Sequence, residues 1–186
     1  MDTKSGVDIE LGALVETVAG QRPLIQAVCG MVSHAERSLR QKNVNLLPQA
    51  QQIIQAVEGW LAQNTCLDDK EQSHRLATLI VSLDTTRLYG TTRSYYLSTT
   101  QLAYMLIDHI TAPDAQLVDP LLWAAEYARD AVAQVSCDAV FDTSYNVAWM
   151  REGSWQIECL EAQLFGWMSP LADGSRLRSS LLANRL

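Results

Sequence analysis

The amino-acid sequence predicts an all-α fold, a single-domain antiparallel bundle of six or seven helices. Three observations predict it. Apolar residues recur at intervals of three and four through most of the chain. All five prolines, Pro23, Pro48, Pro113, Pro120 and Pro170, fall where a helix can begin or end. No run alternates with period two, and no Asn-Gly or Asp-Gly joins two apolar runs.

The elements follow in order. Ile9, Leu11, Leu14, Val15 and Val18 mark a short first helix, stopped by Gly20. Leu24, Val28, Met31, Ala35 and Leu39 form one stripe of a helix from about residue 23 to 41. Leu46, Ala50, Ile53, Val57 and Trp60 repeat that pattern, with Pro48 in the first turn. Leu76, Leu79, Ile80 and Leu83 mark a fourth helix, with Asp68 and Asp69 as candidate N-caps. Thr85 to Thr100 holds six Thr, two Ser, three Tyr and two Arg. It reads as a junction in which Gly90 ends one helix and Ser98-Thr99-Thr100-Gln101 is a capping box for the next.

Asp119 and Pro120 read as N-cap and first residue of a helix reaching about Asp142. Its seam is Leu121, Ala125, Ala128, Val132, Val135 and Ala139, spaced 4-3-4-3-4, with alanines that admit a close neighbour. The last helix, about 144 to 168, carries Ile157, Leu160, Leu164, Trp167 and Met168, with Gly153–Ser154 as an expected kink or break. Residues 1–168 are thus assigned to the bundle, and 169–186 to a Ser/Arg/Leu-rich tail, docked or frayed.

Composition narrows the function classes. Hydrophobic residues make up 48 % and charged residues 19 % of the 186, as in a globular domain. No uncharged stretch is long and apolar enough to span a bilayer, and charges at Asp2, Lys4, Asp8 and Glu10 exclude a secretory signal at this end. Cys29, Cys66, Cys137 and Cys159 form no C-x-x-C pair and sit in apolar helical patterns. Reduced thiols in the cytoplasm are the expectation. The net charge of −7 is concentrated in residues 94–168, which hold ten acids and only Arg129 and Arg151 as bases. That field disfavours nucleic acid and favours a basic protein partner.

Catalytic motifs are scarce. The sequence has no G-x-S-x-G, no G-x-x-x-x-G-K-[ST] and no G-x-G-x-x-G. Glu71-Gln72-Ser73-His74 is one copy of a Glu-x-x-His pattern whose di-iron chemistry needs two. His109 reads as a core or interface histidine held by one hydrogen bond, whereas His34 and His74 point away from their seams. No cofactor is expected.

The most informative surface is on the sixth helix. At about 100° per residue, and relative to Glu126, Asp119 lies near 20°, Asp130 near 40°, Trp123 near 60° and Tyr127 near 100°, roughly opposite the seam. A tryptophan among carboxylates is either covered, by another helix or by the arginine-bearing C-terminal tail, or an exposed anchor for a basic partner. The leading expectation is therefore a non-enzymatic interaction module, a small acidic helical protein of the immunity, inhibitor or adaptor kind. Two alternatives stand beside it. One is a metal-dependent hydrolase acting on a phosphorylated substrate through the carboxylate pairs Asp138/Asp142 and Glu158/Glu161. The other is a structural subunit or homo-oligomer that uses Trp123 as a self-interface.

Overall fold

The computed structural model describes residues 3–17, 20–63, 68–83, 88–137 and 143–165. These form seven α-helices: α1 (Thr3–Thr17), α2 (Gln21–Gln41), α3 (Pro48–Leu61), α4 (Asp69–Ser82), α5 (Gly90–Thr111), α6 (Val118–Ser136) and α7 (Thr143–Phe165). Among the described residues there is no strand. The helices pack around one continuous apolar core, which gives the single-domain bundle that the periodicity predicts. No helix is long and apolar enough to cross a membrane among the residues described.

Helix α6 is the centre of the bundle. It packs most extensively on α5 and also touches α2, α7 and α1. Ala124, Ala125, Ala128, Ala131 and Ala133 are all fully buried, so α6 hides more of its circumference than a simple seam would. Small side chains let neighbouring backbones approach, and one buried hydroxyl exploits this: Ser98 Oγ donates to the Ala124 carbonyl at 2.7 Å. Gln156 Nε2 does the same from α7, donating to the Ala125 carbonyl at 2.9 Å. Helices α5 and α7 thus both hold α6 through its backbone.

Several helix ends follow from local chemistry. Asp68 caps α4 by accepting from the Glu71 amide at 2.8 Å. Pro48 opens α3, and the preceding Leu47 amide donates to Tyr96 Oη at 2.6 Å. Helix α2 closes on Asn43 at φ 59, with Asn43 N–H bonded to the Arg40 carbonyl and Val44 N–H to the Leu39 carbonyl. That is a Schellman closure with Asn in the left-handed position usually given to Gly.

The structure corrects the sequence reading at four boundaries. Gly90 starts α5 instead of ending a helix, at φ 60. The expected capping box lies inside α5: Ser98 reaches across to α6, and Thr99 Oγ1 donates back to the Tyr95 carbonyl at 2.9 Å. Asp119 is not the N-cap of α6; Leu117 is, and Asp119 sits exposed in the first turn. Helix α6 ends at Ser136, where Cys137 turns extended at φ −132 and ψ 146, so Val132 and Val135 close the stripe and Ala139 lies outside the described residues.

A further correction concerns Gly153–Ser154, which does not break α7. Gly153 instead marks the crossing of α1 over α7. A Cβ there would stand 2.7 Å from Val7 Cγ1 and 3.5 Å from Arg129 Cδ. Gly153→Ala gains about 1 kcal/mol of helix propensity but must push Val7 away, at a cost of about 1–3 kcal/mol for overpacking. Chemical denaturation should show a net loss of stability, and Val7→Ala should cost less in the Gly153→Ala background than in the wild type.

Candidate functional site

Two regions collect the chemistry-bearing side chains: an ionic seam between α1, α2, α6 and α7, and the outer face of α6. The seam is centred on Arg129, whose side chain is fully buried. Its guanidinium lies 4.2 Å from the centroid of the Trp149 ring and donates through Nη2 to Asp8 Oδ1 on α1. Nε and Nη1 have no hydrogen-bond partner among the described residues. The neighbouring Asp130 faces α7, where its Oδ1 accepts from Tyr145 Oη at 2.6 Å and from Trp149 Nε1 at 3.0 Å. Trp149 is therefore gripped on its face by Arg129 and on its edge by Asp130. Burial, reinforced by the bond to Asp130 and its charge, pushes the Tyr145 phenol well above its ordinary range, so it remains a donor.

The seam continues toward α2. His34 Nε2 lies 3.2 Å from the buried Glu152 carboxylate, and its ring stacks on Trp155 at 4.2 Å between centroids. The sequence reading set His34 away from the seams; it faces α7 because α2 touches α7 as well as α5 and α6, and so carries a second contact line. His74, by contrast, is exposed.

His109 behaves as the sequence predicts, with one hydrogen bond. Gln21 uses its amide nitrogen toward the Pro113 and Ala115 carbonyls at 2.8 and 2.5 Å, so its oxygen is the acceptor for His109 Nδ1–H at 2.6 Å. Trp60 meets the His109 ring edge-on at 5.1 Å, and Arg22 covers Trp60 while donating to the Leu61 carbonyl at the end of α3. Burial and then Arg22 lower the His109 pKa, with Asp69 opposing.

The outer face of α6 carries the residues singled out in the sequence. Trp123 is 52 % exposed. Asp119 and Glu126, one turn to either side, are exposed as well, and Tyr127 is half-buried. Asp130 lies at the α7 edge of this face, with Oδ1 committed to Tyr145 and Trp149. Trp60, Trp149 and Trp155, in contrast, pack against cationic or aromatic side chains.

Half of the alternative carboxylate set falls among the described residues. Glu158 and Glu161 are half-buried on α7, whereas Asp138 and Asp142 lie outside the described residues. Among the described residues no three His, Cys, Asp or Glu side chains come together as a metal site would require. Burial pushes the Cys29 and Cys159 thiols up to about 12, which keeps both protonated and poorly nucleophilic. In the Thr85–Thr100 stretch, Arg93 is exposed and Tyr95 and Tyr96 are core residues, while Arg87 lies outside the described residues. A shallow open groove lined by Ser136, Ser144, Val147, Ala148 and Arg151 separates the end of α6 from the start of α7.

The seam was only partly legible. Arg129 lies one residue beyond Ala128 of the predicted stripe, and being one of only two arginines in an acidic half was its available signal. Its acceptor, 121 residues away, had none. Compared with family models, curated proteins and solved structures, the chain matches none.

Two measurements check this geometry. Asp130→Ala removes the acceptor shared by the Tyr145 hydroxyl and the Trp149 indole N–H, and should cost about 2–4 kcal/mol in urea unfolding, against about 1 kcal/mol for Tyr145→Phe. For His109 the folded pKa lies below the ordinary value of 6.5, so the unfolded chain takes up the proton first. This contribution is intact above that value and declines as pH falls below it. The urea midpoint should therefore drop further in the wild type than in His109→Gln between about pH 7.5 and pH 5.5.

Proposed function

We propose that this chain is an interaction module, a small acidic helical protein of the immunity, inhibitor or adaptor kind, that engages a basic protein surface through the outer face of α6. The observation that carries the reading is Trp123, a large apolar side chain left 52 % exposed on the most central helix of the bundle. Burying an indole gives more contact area than any other side chain, and tryptophan is enriched among the residues that dominate binding energy.

The flanking charges favour the kind of partner. Asp119 precedes Trp123 by four residues and Glu126 follows it by three, so both project from the same face of α6 within one turn of the indole. A basic surface meeting this face gains steering from the carboxylates and a cation–π contact on the ring. Tyr127 extends the aromatic surface along the same helix. The scaffold beneath is rigid: Ala124, Ala125 and Ala128 are locked into the core, so little order has to be acquired on binding.

The test is affinity capture with the full chain as bait, followed by binding measurement with the purified partner. Trp123→Ala should weaken binding about thirtyfold, as removal of a central anchor does. Glu126→Lys should slow association and flatten its salt dependence. A partner bound equally well by wild type, Trp123→Ala and Glu126→Lys would sink the proposal.

A further inference from the structure

Helix α1 is fastened differently from the rest of the bundle. Val7, Leu11 and Val15, spaced by four, are buried against α7 and α6, while Ile9, Glu10 and Glu16 face outward. Next to Val7, Asp8 reaches in to the Arg129 guanidinium, yet its own side chain stays 41 % exposed. Two constraints therefore meet at one turn of α1: a half-solvated carboxylate holding a buried cation, and a valine seated where Gly153 leaves room.

We propose that α1 is a releasable strap, latched by Asp8, which opens separately from α2–α7 and uncovers Arg129 on the face of Trp149. The closed state satisfies Arg129 poorly: one nitrogen meets Asp8, and Nε and Nη1 meet no acceptor among the described residues. A buried cation with unfilled donors regains hydration when its cover lifts, which offsets part of the cost of exposing Val7, Leu11 and Val15 to water. The α5–α6 seam has no such compensation. Its buried alanines and the Ser98 to Ala124 hydrogen bond gain nothing comparable from exposure to water. Arg129 itself stays anchored on opening, because its stem and Trp149 belong to α6 and α7, which remain packed on each other.

The experiment is hydrogen exchange of the full-length chain read by mass spectrometry across low, sub-denaturing urea. In the wild type, α1 amides should exchange at least about tenfold faster than those of α5 and α6, with weaker urea dependence, as expected for a sub-global opening. Asp8→Asn removes the latch charge and Gly153→Ala wedges Val7 outward. Each should speed α1 exchange by about tenfold, while α1 keeps its weaker urea dependence relative to α5 and α6. Exchange of α1 that matches α5 and α6 in rate and urea dependence in the wild type would overturn the proposal, and this arm needs no variant to fold. An Asp8→Asn chain that folds and exchanges α1 at the wild-type rate would overturn the latch equally.

Discussion

The buried guanidinium of Arg129 sets the terms on which α1, α6 and α7 pack. A cation taken out of water is costly unless charge and polarisable surface replace its hydration. Here the charge comes from Asp8 on α1 and the surface from Trp149 on α7. Placing that indole requires a second hold, supplied by Asp130, the next residue along α6, through the indole N–H. Bringing Asp8 close enough requires α1 to cross α7 tightly, which the missing side chain of Gly153 allows. One arginine thus ties three helices together through a handful of side chains and one absence.

The same helix separates structure from surface. The inner side of α6 is built of alanines, and their small size draws α5 and α7 close enough for side-chain hydrogen bonds to its carbonyls. These interactions fix the rotation of α6 about its own axis. With that rotation fixed, Trp123, Asp119 and Glu126 have no core to enter and are presented outward together. The outward presentation of these three side chains is therefore a consequence of packing on the opposite side. Arg129 and Asp130, adjacent in sequence, follow the turn of the helix from the buried cation to the edge of that outer face.

Histidines and cysteines show how burial disposes of groups that a sequence offers as reactive. His109 is held neutral by burial and by Arg22, and Gln21 fixes which ring nitrogen carries the proton. Cys29 and Cys159 are kept as thiols by burial, with nearby carboxylates adding to the effect. His34 is paired with Glu152 and stacked on Trp155. Each of these groups has a structural reason for its position.

By itself the sequence determined the fold class, the helix stripes and the placement of Trp123 opposite the seam of its helix, but not its exposure. All three depend on the 3.6-residue period, which is local and is written into the order of residues. It misplaced Gly90 and the Ser98–Gln101 segment and missed the crossing at Gly153, because glycine and hydroxyl residues serve equally as helix ends and as points of close approach. Only the neighbouring helix decides which role applies: Ser98 is an inter-helix donor because the Ala124 carbonyl lies opposite, and Gly153 is a crossing point because Val7 does. Tertiary structure alone also decided that Asp130 turns to α7, that His34 meets Glu152, and that Arg129 is buried. Those outcomes depend on pairings between residues distant in sequence, and an ion pair spanning 121 positions leaves no mark on the periodicity of either helix.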